Sequence, residues 1–450
     1  MFLAFISNAM MRLLCVFTLA LWTTLSVAAP SLDLWQAWQS AQHSDPIYAA
    51  QQAQTLASQE QINQARAQLL PSVDAVTSLQ RNDLRRASRL NQGQQSNANQ
   101  WQLRLSQPLL DLSAVALLER SKLLAASAVF ALDNAKNDLV LRLSTAYFDV
   151  LAAQDSLISL QAQHDAITQQ LQSAQLAFEL GGATITDTYE AQSRLDLINA
   201  QLIQTRQQLE NRRQHLARIT GLPIYQLAPL RDPIQLPKPE PQNADAWVYQ
   251  AQSHNLELIQ RRLAVQAQQH QLEANQREHS PTISLQARSG SQNTMGVYGP
   301  NTRPRALDSS IGIELSIPLY KGGAIDSKVR ENASLLQQRL SEQENARRAA
   351  TEAAQIHYSG VESGLLAVQA LEAAERSSLQ SVQANRTAYE IGVRITSDVL
   401  NAQQQLYETQ RALAQARYNT LLHGLNLKNA AGLLQENDLL ELNQLLEPTP

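Results

Sequence analysis

The 450-residue sequence has one cysteine, few aromatic residues and no strong charge bias. The cysteine, Cys15, lies inside an apolar stretch, and the preceding Arg12-Leu13-Leu14 does not match the pattern before a lipid-modified cysteine. If that stretch is removed on export, the mature chain has no disulfide, no thiol chemistry and no acyl anchor on cysteine. Aromatic residues make up 5% of the chain while Gln, Ala, Leu and Ser recur throughout. That composition favours long exposed amphipathic helices over thick globular cores.

The missing motifs exclude further classes of function. The net charge is -4 and no run of Lys and Arg is long enough to bind nucleic acid, so we expect no nucleic-acid partner. The eight histidines form no HExxH pair, and the chain has no phosphate-binding loop, no dinucleotide fingerprint and no G-x-S-x-G motif. The sequence therefore predicts a protein with no catalytic residue, no cofactor and no metal site.

The N-terminal residues 1–28 are predicted to be a secretory signal peptide. Arg12 supplies the positive charge, residues 13–25 are apolar, and Ser26-Val27-Ala28 fits a small-x-small cleavage site. A transmembrane anchor is the alternative, but the apolar stretch is short for a bilayer span. Beyond residue 30 no apolar run approaches the roughly 18 residues of a spanning helix, so a membrane location would have to use strands.

The rest of the chain repeats itself at an offset of 210 to 211 residues. So constant an offset over so long a period indicates one duplicated domain, with repeats at 36–221 and 246–432. A connector at 222–245 carries six prolines, which forbid a continuous helix, and a tail at 433–450 follows the second repeat. The matching pairs are Pro71 with Pro281, Ser106 with Ser316, Tyr147 with Tyr358, Asp187 with Asp398, and Gly221 with Gly432.

Each repeat is predicted to contain a helix, two strands, a long helix, a turn and a further helix. In the first repeat the helices at 36–69 and 186–220 are together as long as the helix at about 112–180, which contains no Gly or Pro. Two parallel rods of equal length, one continuous and one broken, follow from those lengths. The second repeat has the corresponding helices at about 324–391 and 397–431.

Four segments alternate apolar and polar residues with the period of a strand. Such alternation suits a membrane barrel around a wet lumen, although a half-buried soluble sheet gives the same pattern. Four strands cannot close a barrel, and a bilayer does not tolerate open edges, so a barrel would require several chains. Two chains would give eight strands around a filled interior, and a pore favours three or more. The predicted strands lie at about 72–80, 99–107, 281–289 and 309–317.

Taken together and in order, these features resemble the TolC family of outer-membrane efflux and type I secretion channels. The motifs that carry the resemblance are the paired Pro71 and Pro281, Phe178-Glu179-Leu180-Gly181, Tyr389-Glu390-Ile391-Gly392, Ala416-Arg417-Tyr418-Asn419, and the segment from Ser316 to Gly323. The absence of a lipid-attachment cysteine favours the TolC branch over its lipoprotein relatives.

The resemblance implies an α+β membrane protein in the outer membrane. It would be a homotrimer with a 12-stranded β-barrel in outer-membrane lipid and a long α-helical coiled-coil barrel in the periplasm. The connector and the tail would form a belt around the middle of the helices. The partners would be a periplasmic adaptor and an inner-membrane transporter, and the cargo would be small molecules or secreted polypeptides. The alternatives are a periplasmic coiled-coil adaptor or structural protein without a pore, and an exported enzyme, for which no set of catalytic residues is present.

The helix tips hold the candidate functional residues. Asp398 lies in the first turn of its helix and Asn401 three residues further on the same face, so a trimer would turn each position into a ring. An acidic ring at a narrow entrance selects for cations. Asp187 occupies the corresponding place in the first repeat. An aspartate at such a place is also favoured by helix capping and by the helix dipole, whatever its function.

The resemblance assigns further roles at the tips. It implies that Asp398 forms an acidic constriction and that Tyr389 and Arg394 hold the gate, with Arg394 binding Thr186 and Asp187 of a neighbouring helix pair. A cation near a helix C-terminus is the simpler explanation of Arg394.

Two sequence differences affect the predicted gate, one from a family member and one between the two repeats. A well-known family member has a second aspartate where this chain has Asn401, so we expect weaker block by polyvalent cations. The two copies also diverge, since Gly182-Ala183 of the first matches Val393-Arg394 of the second and Glu190 matches Asn401. If one helix pair moves on opening, this divergence predicts that the second pair does so.

Overall fold

The computed structural model of the chain describes residues 31–84, 94–295 and 306–447. The predicted signal peptide at 1–28 and the last three residues of the tail lie outside the described residues. The helices of the first half are α1 (Leu34–Ser44), α2 (Pro46–Ala67), α3 (Leu112–Glu179) and α4 (Ile185–Thr220). Those of the second half are α5 (Ala244–His254), α6 (Leu256–Gln276), α7 (Ala324–Glu390) and α8 (Thr396–Ala430), followed by α9 (Glu436–Asn443).

The single helix predicted at 36–69 is wrong, because two helices meet at Asp45. Pro46 lacks an N–H and occupies the first turn of α2, where that donor is not needed. The Asp45 carboxylate caps α2 by accepting a hydrogen bond from the Tyr48 N–H at 2.8 Å. The second half bends without a proline: Asn255 separates α5 from α6 and accepts from the Leu258 N–H at 3.0 Å. The bend therefore belongs to both copies of the duplicated unit.

Helix α3 is 68 residues long, about 100 Å at the ordinary rise of a helix. Asp111 caps it by accepting from the Ala114 N–H at 2.9 Å, and no Gly or Pro interrupts it. Helix α2 packs on the first part of α3 and α4 on the last part, so one rod is continuous and its neighbour is broken. The 67-residue α7 and the 35-residue α8 pair in the same way. No helix among the described residues is both long and apolar enough to cross a bilayer.

Four strands form one antiparallel sheet in chain order, and β2 pairs with β3 to join the two halves. Within the described residues β1 pairs only with β2 and β4 only with β3, so both outer edges lack a strand partner in this chain. Many apolar side chains of these strands are exposed, such as Leu79 at 82% and Ile311 at 75%, while those of Leu105 and Ile283 are half-buried. The strands span Ser72–Leu84, Gln94–Leu110, Thr282–Met295 and Ala306–Ser316.

The largest core cluster lies near the middle of α3, around Tyr147. The Tyr147 hydroxyl donates to the backbone oxygens of Leu32 and Ala228, both at 3.0 Å. Phe148 stacks on Tyr418 of α8 with 5.5 Å between ring centroids. The N-terminal segment, the connector and the C-terminal helix all contribute to this cluster. The connector and the tail therefore pack around the middle of the helices, at the level where the resemblance implied a belt.

Candidate functional site at the helix tips

Each helix hairpin turns through the same backbone motif. Hairpin 1 (α3 and α4) turns at Gly181 with φ 77°, and hairpin 2 (α7 and α8) turns at Gly392 with φ 76°. In hairpin 1 the Gly182 N–H donates to the Ala177 oxygen at 2.7 Å and the Gly181 N–H to the Phe178 oxygen at 3.0 Å. Hairpin 2 repeats this pair of bonds. This is the Schellman arrangement, whose left-handed residue favours glycine, and it places the start of α4 and of α8 at equivalent positions.

The two equivalent aspartates have different partners. Asp187 closes a capping box in α4, because its carboxylate accepts from the Thr184 N–H at 2.9 Å and the Thr184 hydroxyl at 2.8 Å. In α8 the cap position is Ile395, which has no side-chain hydroxyl to offer. The Asp398 carboxylate instead accepts from Arg394 Nη1 at 3.4 Å. Asp187 is thus engaged as a cap, whereas Asp398 remains half-exposed beside a guanidinium.

The other predicted gate residues lie at the same end of the molecule. Tyr389 is half-buried in the last turn of α7, and its carbonyl accepts from the Gly392 N–H at 3.0 Å. Thr186 is exposed in the first turn of α4. The described hydrogen bonds of Arg394 do not include Thr186 or Asp187 of the same chain. Since that contact was predicted between neighbouring helix pairs, it stays a prediction.

Sequence reasoning missed Arg194, which joins the two hairpins. Its guanidinium on α4 donates to the Asn401 side-chain oxygen on α8 at 2.8 Å and to Gln404 at 3.5 Å. It also binds Glu190, one turn earlier on α4, at 3.0 Å. The spacing of Glu190 and Arg194 predicts a pair within one helix, but nothing local in the sequence indicates the contact with α8.

An apolar contact lies beside this polar one. Leu400, next to Asn401, is 2% exposed and belongs to a cluster of hairpin 1 residues. The first turns of α8 are therefore held against hairpin 1 by a buried leucine and by the Arg194 guanidinium. The hairpin 1 members of the cluster are Leu160, Ile167, Leu171, Ala191, Ile198 and Leu202.

Comparison with known proteins identifies the fold and the family. A family model described as outer membrane efflux protein matches residues 37–222 and 247–433, one match for each repeat. The chain is 32% identical to the outer membrane protein TolC of Escherichia coli over 92% of this chain and 85% of that protein. It is 31% identical to the alkaline protease secretion protein AprF of Pseudomonas aeruginosa over 75% of this chain and 70% of that protein.

Solved structures agree with that fold. The CmeC outer membrane channel of Campylobacter jejuni superimposes with a TM-score of 0.78 at 15% identity, over 92% of this chain and 90% of that chain. The outer membrane protein VceC of Vibrio cholerae superimposes with a TM-score of 0.75 at 16% identity, over 89% and 96%. On the double match of the family model and the identity to its relatives, the chain belongs to the outer membrane efflux protein family.

Proposed function

We propose that this outer-membrane channel subunit forms, as a trimer, an exit duct whose gate lies at the periplasmic tips of hairpins 1 and 2. The observation that carries the proposal is a difference between the two matched tips. Asp398 at the start of α8 is half-exposed, whereas its counterpart Asp187 is hydrogen-bonded as a helix cap. A carboxylate that is not needed to end or begin a helix is available to line an entrance.

The sheet supports assembly into a trimer. Among the described residues, strands β1 and β4 each have one edge without a partner strand, and a bilayer does not tolerate unpaired edges. Three copies of a four-stranded sheet give 12 strands, which is wide enough for a lumen, whereas two copies give a barrel filled by side chains. Outward apolar residues such as Val73, 66% exposed, and Ile313, 70% exposed, suit contact with lipid.

The tips also support docking to other components. Leu180, Ile391 and Val393 are each more than 70% exposed at the far end of the helices from the sheet. Exposed apolar side chains in one place mark a contact surface. We infer that a periplasmic adaptor binds there and connects the duct to an inner-membrane transporter. Two of the relatives are named as protease secretion proteins and another as an outer membrane efflux protein, so small molecules and secreted polypeptides are both candidate cargoes.

The experiment is to purify the chain in detergent, measure its mass by light scattering, and record its conductance in planar bilayers. A trimer with discrete single-channel steps supports the proposal. A monomer without conductance that carbonate releases from membranes would overturn it in favour of a periplasmic adaptor without a pore.

A further inference from the structure

The described polar contacts between the two hairpins are few and lie at two levels. Near the middle, the Tyr418 hydroxyl on α8 donates to the Asp155 carboxylate on α3 at 2.6 Å. Near the tip, Arg194 donates to Asn401. Between the entrance and the middle of the helices, Arg194 is thus the polar link that ties α8 to hairpin 1.

The Arg194 side chain is fixed in place from its own helix. Glu190 lies one turn before it and holds Nη2 at 3.0 Å, and the Arg194 side chain is only 25% exposed. The same nitrogen reaches Asn401 across the gap. A planar guanidinium holds its donors in one fixed geometry, whereas an ammonium carries its three donors on a flexible stem and so fixes the two acceptors less firmly.

We propose that Arg194 is a positioning residue that latches α8 to hairpin 1 and so sets the closed width and the ion preference of the entrance. The inference deepens the proposed function and rests on it, because it assigns the latch to the same tips. Arg194 acts through Asn401 and need not touch the cargo.

The latch also accounts for an asparagine at position 401. An amide oxygen accepts a hydrogen bond from Arg194 without cancelling its charge, so Glu190 is the carboxylate that neutralises it. Removing the guanidinium would leave the Glu190 carboxylate unpaired beside Asn401 and make the entrance more negative. A latch with this composition therefore predicts two separate effects, one on opening and one on the ion preference.

Three single variants separate those effects in the full-length channel in planar bilayers. Arg194→Gln removes the positive charge and the forked set of guanidinium N–H donors. We expect about a tenfold shift toward the open state, the size expected from losing hydrogen bonds to a charged group. We also expect a stronger preference for K⁺ over Cl⁻. Arg194→Lys keeps the charge but loses the fork, so opening should rise while the ion preference stays near that of the wild type.

Arg212→Gln is the matched control. Arg212 lies on the same helix α4 but pairs with Asp149 of α3 at 2.7 Å, inside hairpin 1. Its loss should leave both readings unchanged. If Arg194→Gln behaves like Arg212→Gln while the wild type conducts, Arg194 is not a latch. If the wild type does not conduct at all, the proposed function fails instead.

A cross-link tests the same contact by closing it. The only cysteine is Cys15, in the predicted signal peptide, so cysteines introduced at 194 and 401 have no competitor in the mature chain. In the Arg194→Cys, Asn401→Cys variant, the short thiol cross-linker dibromobimane should join the hairpins and abolish opening, while either single variant treated alike should open freely. Opening that persists after complete cross-linking would show that the hairpins do not part at this contact, and would overturn the latch.

Discussion

The imidazole rings of His357 on α7 and His423 on α8 meet head-on across hairpin 2. Their Nδ1 atoms are 3.1 Å apart and their ring centroids 5.4 Å apart. The difference is about the sum of the two ring radii, so the two nitrogens point at each other and share one hydrogen bond. One Nδ1 atom must donate a proton and the other must accept it. Once both rings are charged, both Nδ1 atoms carry protons and neither can accept the hydrogen bond.

This pair predicts that hairpin 2 loses stability in mild acid. Burial lowers the pKa of His357 below the ordinary 6.5, and the neighbouring His423 lowers it further. As pH falls through 6.5, His357 binds a proton in the unfolded chain but not in the folded chain. The free energy of unfolding therefore falls with pH until the lowered pKa of the folded state is reached. The loss is at most about 1.4 kcal/mol per pH unit. Thermal unfolding followed by helical circular dichroism from pH 7.5 to 5.5 measures it.

The His357→Asn variant should flatten this pH dependence, because it removes the titrating ring. The control is His215→Asn, which replaces an exposed histidine on α4 and should leave the slope of the wild type. Equal slopes in the wild type and the His357→Asn variant would show that the histidine pair does not control acid stability.

Two glycines of hairpin 2 should respond oppositely to alanine. A Cβ at Gly360 of α7 would lie 2.6 Å from the His423 ring, whereas a Cβ at Gly424 of α8 would meet nothing within 4 Å. We expect Gly360→Ala to lower the free energy of unfolding by about 1–3 kcal/mol through overpacking. Gly424→Ala should raise it by about 0.5–1 kcal/mol through helix propensity. Urea unfolding of both variants tests the contrast, and stabilisation by Gly360→Ala would contradict the close approach of the two helices.

Asp45 should contribute more to the free energy of unfolding through its ion pair with Arg142 than through its cap of α2. It is 3% exposed, caps α2, and accepts from both terminal nitrogens of Arg142 on α3, at 3.0 and 3.2 Å. Asp45→Asn keeps the cap but loses the charge, so we expect a loss of about 1–3 kcal/mol in the free energy of unfolding. Asp45→Ala should cost roughly 1 kcal/mol more because the cap is also lost.

Asp33 provides the matched control for Asp45. It caps α1 in the same way, accepting from the Gln36 N–H at 2.7 Å, and no ion pair of Asp33 is among the described contacts. Asp33→Asn should therefore be nearly neutral in the same urea measurement. Equal losses for Asp33→Asn and Asp45→Asn would assign both effects to capping alone.

Alternation of apolar and polar residues predicts the four strands, and the long segments without Gly or Pro predict the long helices, but the breaks within the shorter helices are not predicted. The break at Asp45 was missed although Pro46 is visible, since a proline that ends one helix also suits the first turn of the next. The break at Asn255 has no such mark. It goes with the packing of α5 against the middle of α7 and the end of α8, where Trp247 contacts Tyr358 and Leu427.

The site was predicted less completely for a related reason. The roles of Asp187 and Asp398 diverge because Thr184 precedes one and Ile395 the other, a difference that the sequence does contain. The link between Arg194 and Asn401 joins residues 207 positions apart. No local pattern indicates such a contact, because the alignment of the two hairpins brings it about.

Arg394 is predicted to hold the gate closed. It lies in the turn before α8, pairs weakly with Asp398 of that helix at 3.4 Å and remains 55% exposed, so its guanidinium is available to a neighbouring helix pair. Arg394→Ser should raise conductance in planar bilayers. Arg386→Ser is a suitable control, since Arg386 is also exposed near the tip but pairs within α7, with Glu390 at 3.6 Å. Conductance of the Arg394→Ser channel equal to that of the wild type would remove Arg394 from the gate.

Asp398 is predicted to be the residue through which polyvalent cations block the channel. A trimer would carry three such carboxylates at one level, whereas Asn401 adds no charge and lies against Arg194. Asp398→Ala should therefore raise the concentration of a trivalent cation needed for half-block by about a hundredfold or more, since a trimer loses three charges and each weakens the attraction by about 1 kcal/mol at short range in water. Asn401→Asp should lower that concentration by adding a second acidic ring.

Asp187→Ala is the control that separates pore lining from capping. It removes a carboxylate at the same position of hairpin 1, but one held by Thr184. Its half-block concentration should stay near that of the wild type, although its α4 loses stability and the predicted gate contact of Asp187 with Arg394 is lost. Block that survives Asp398→Ala unchanged would show that the constriction lies elsewhere.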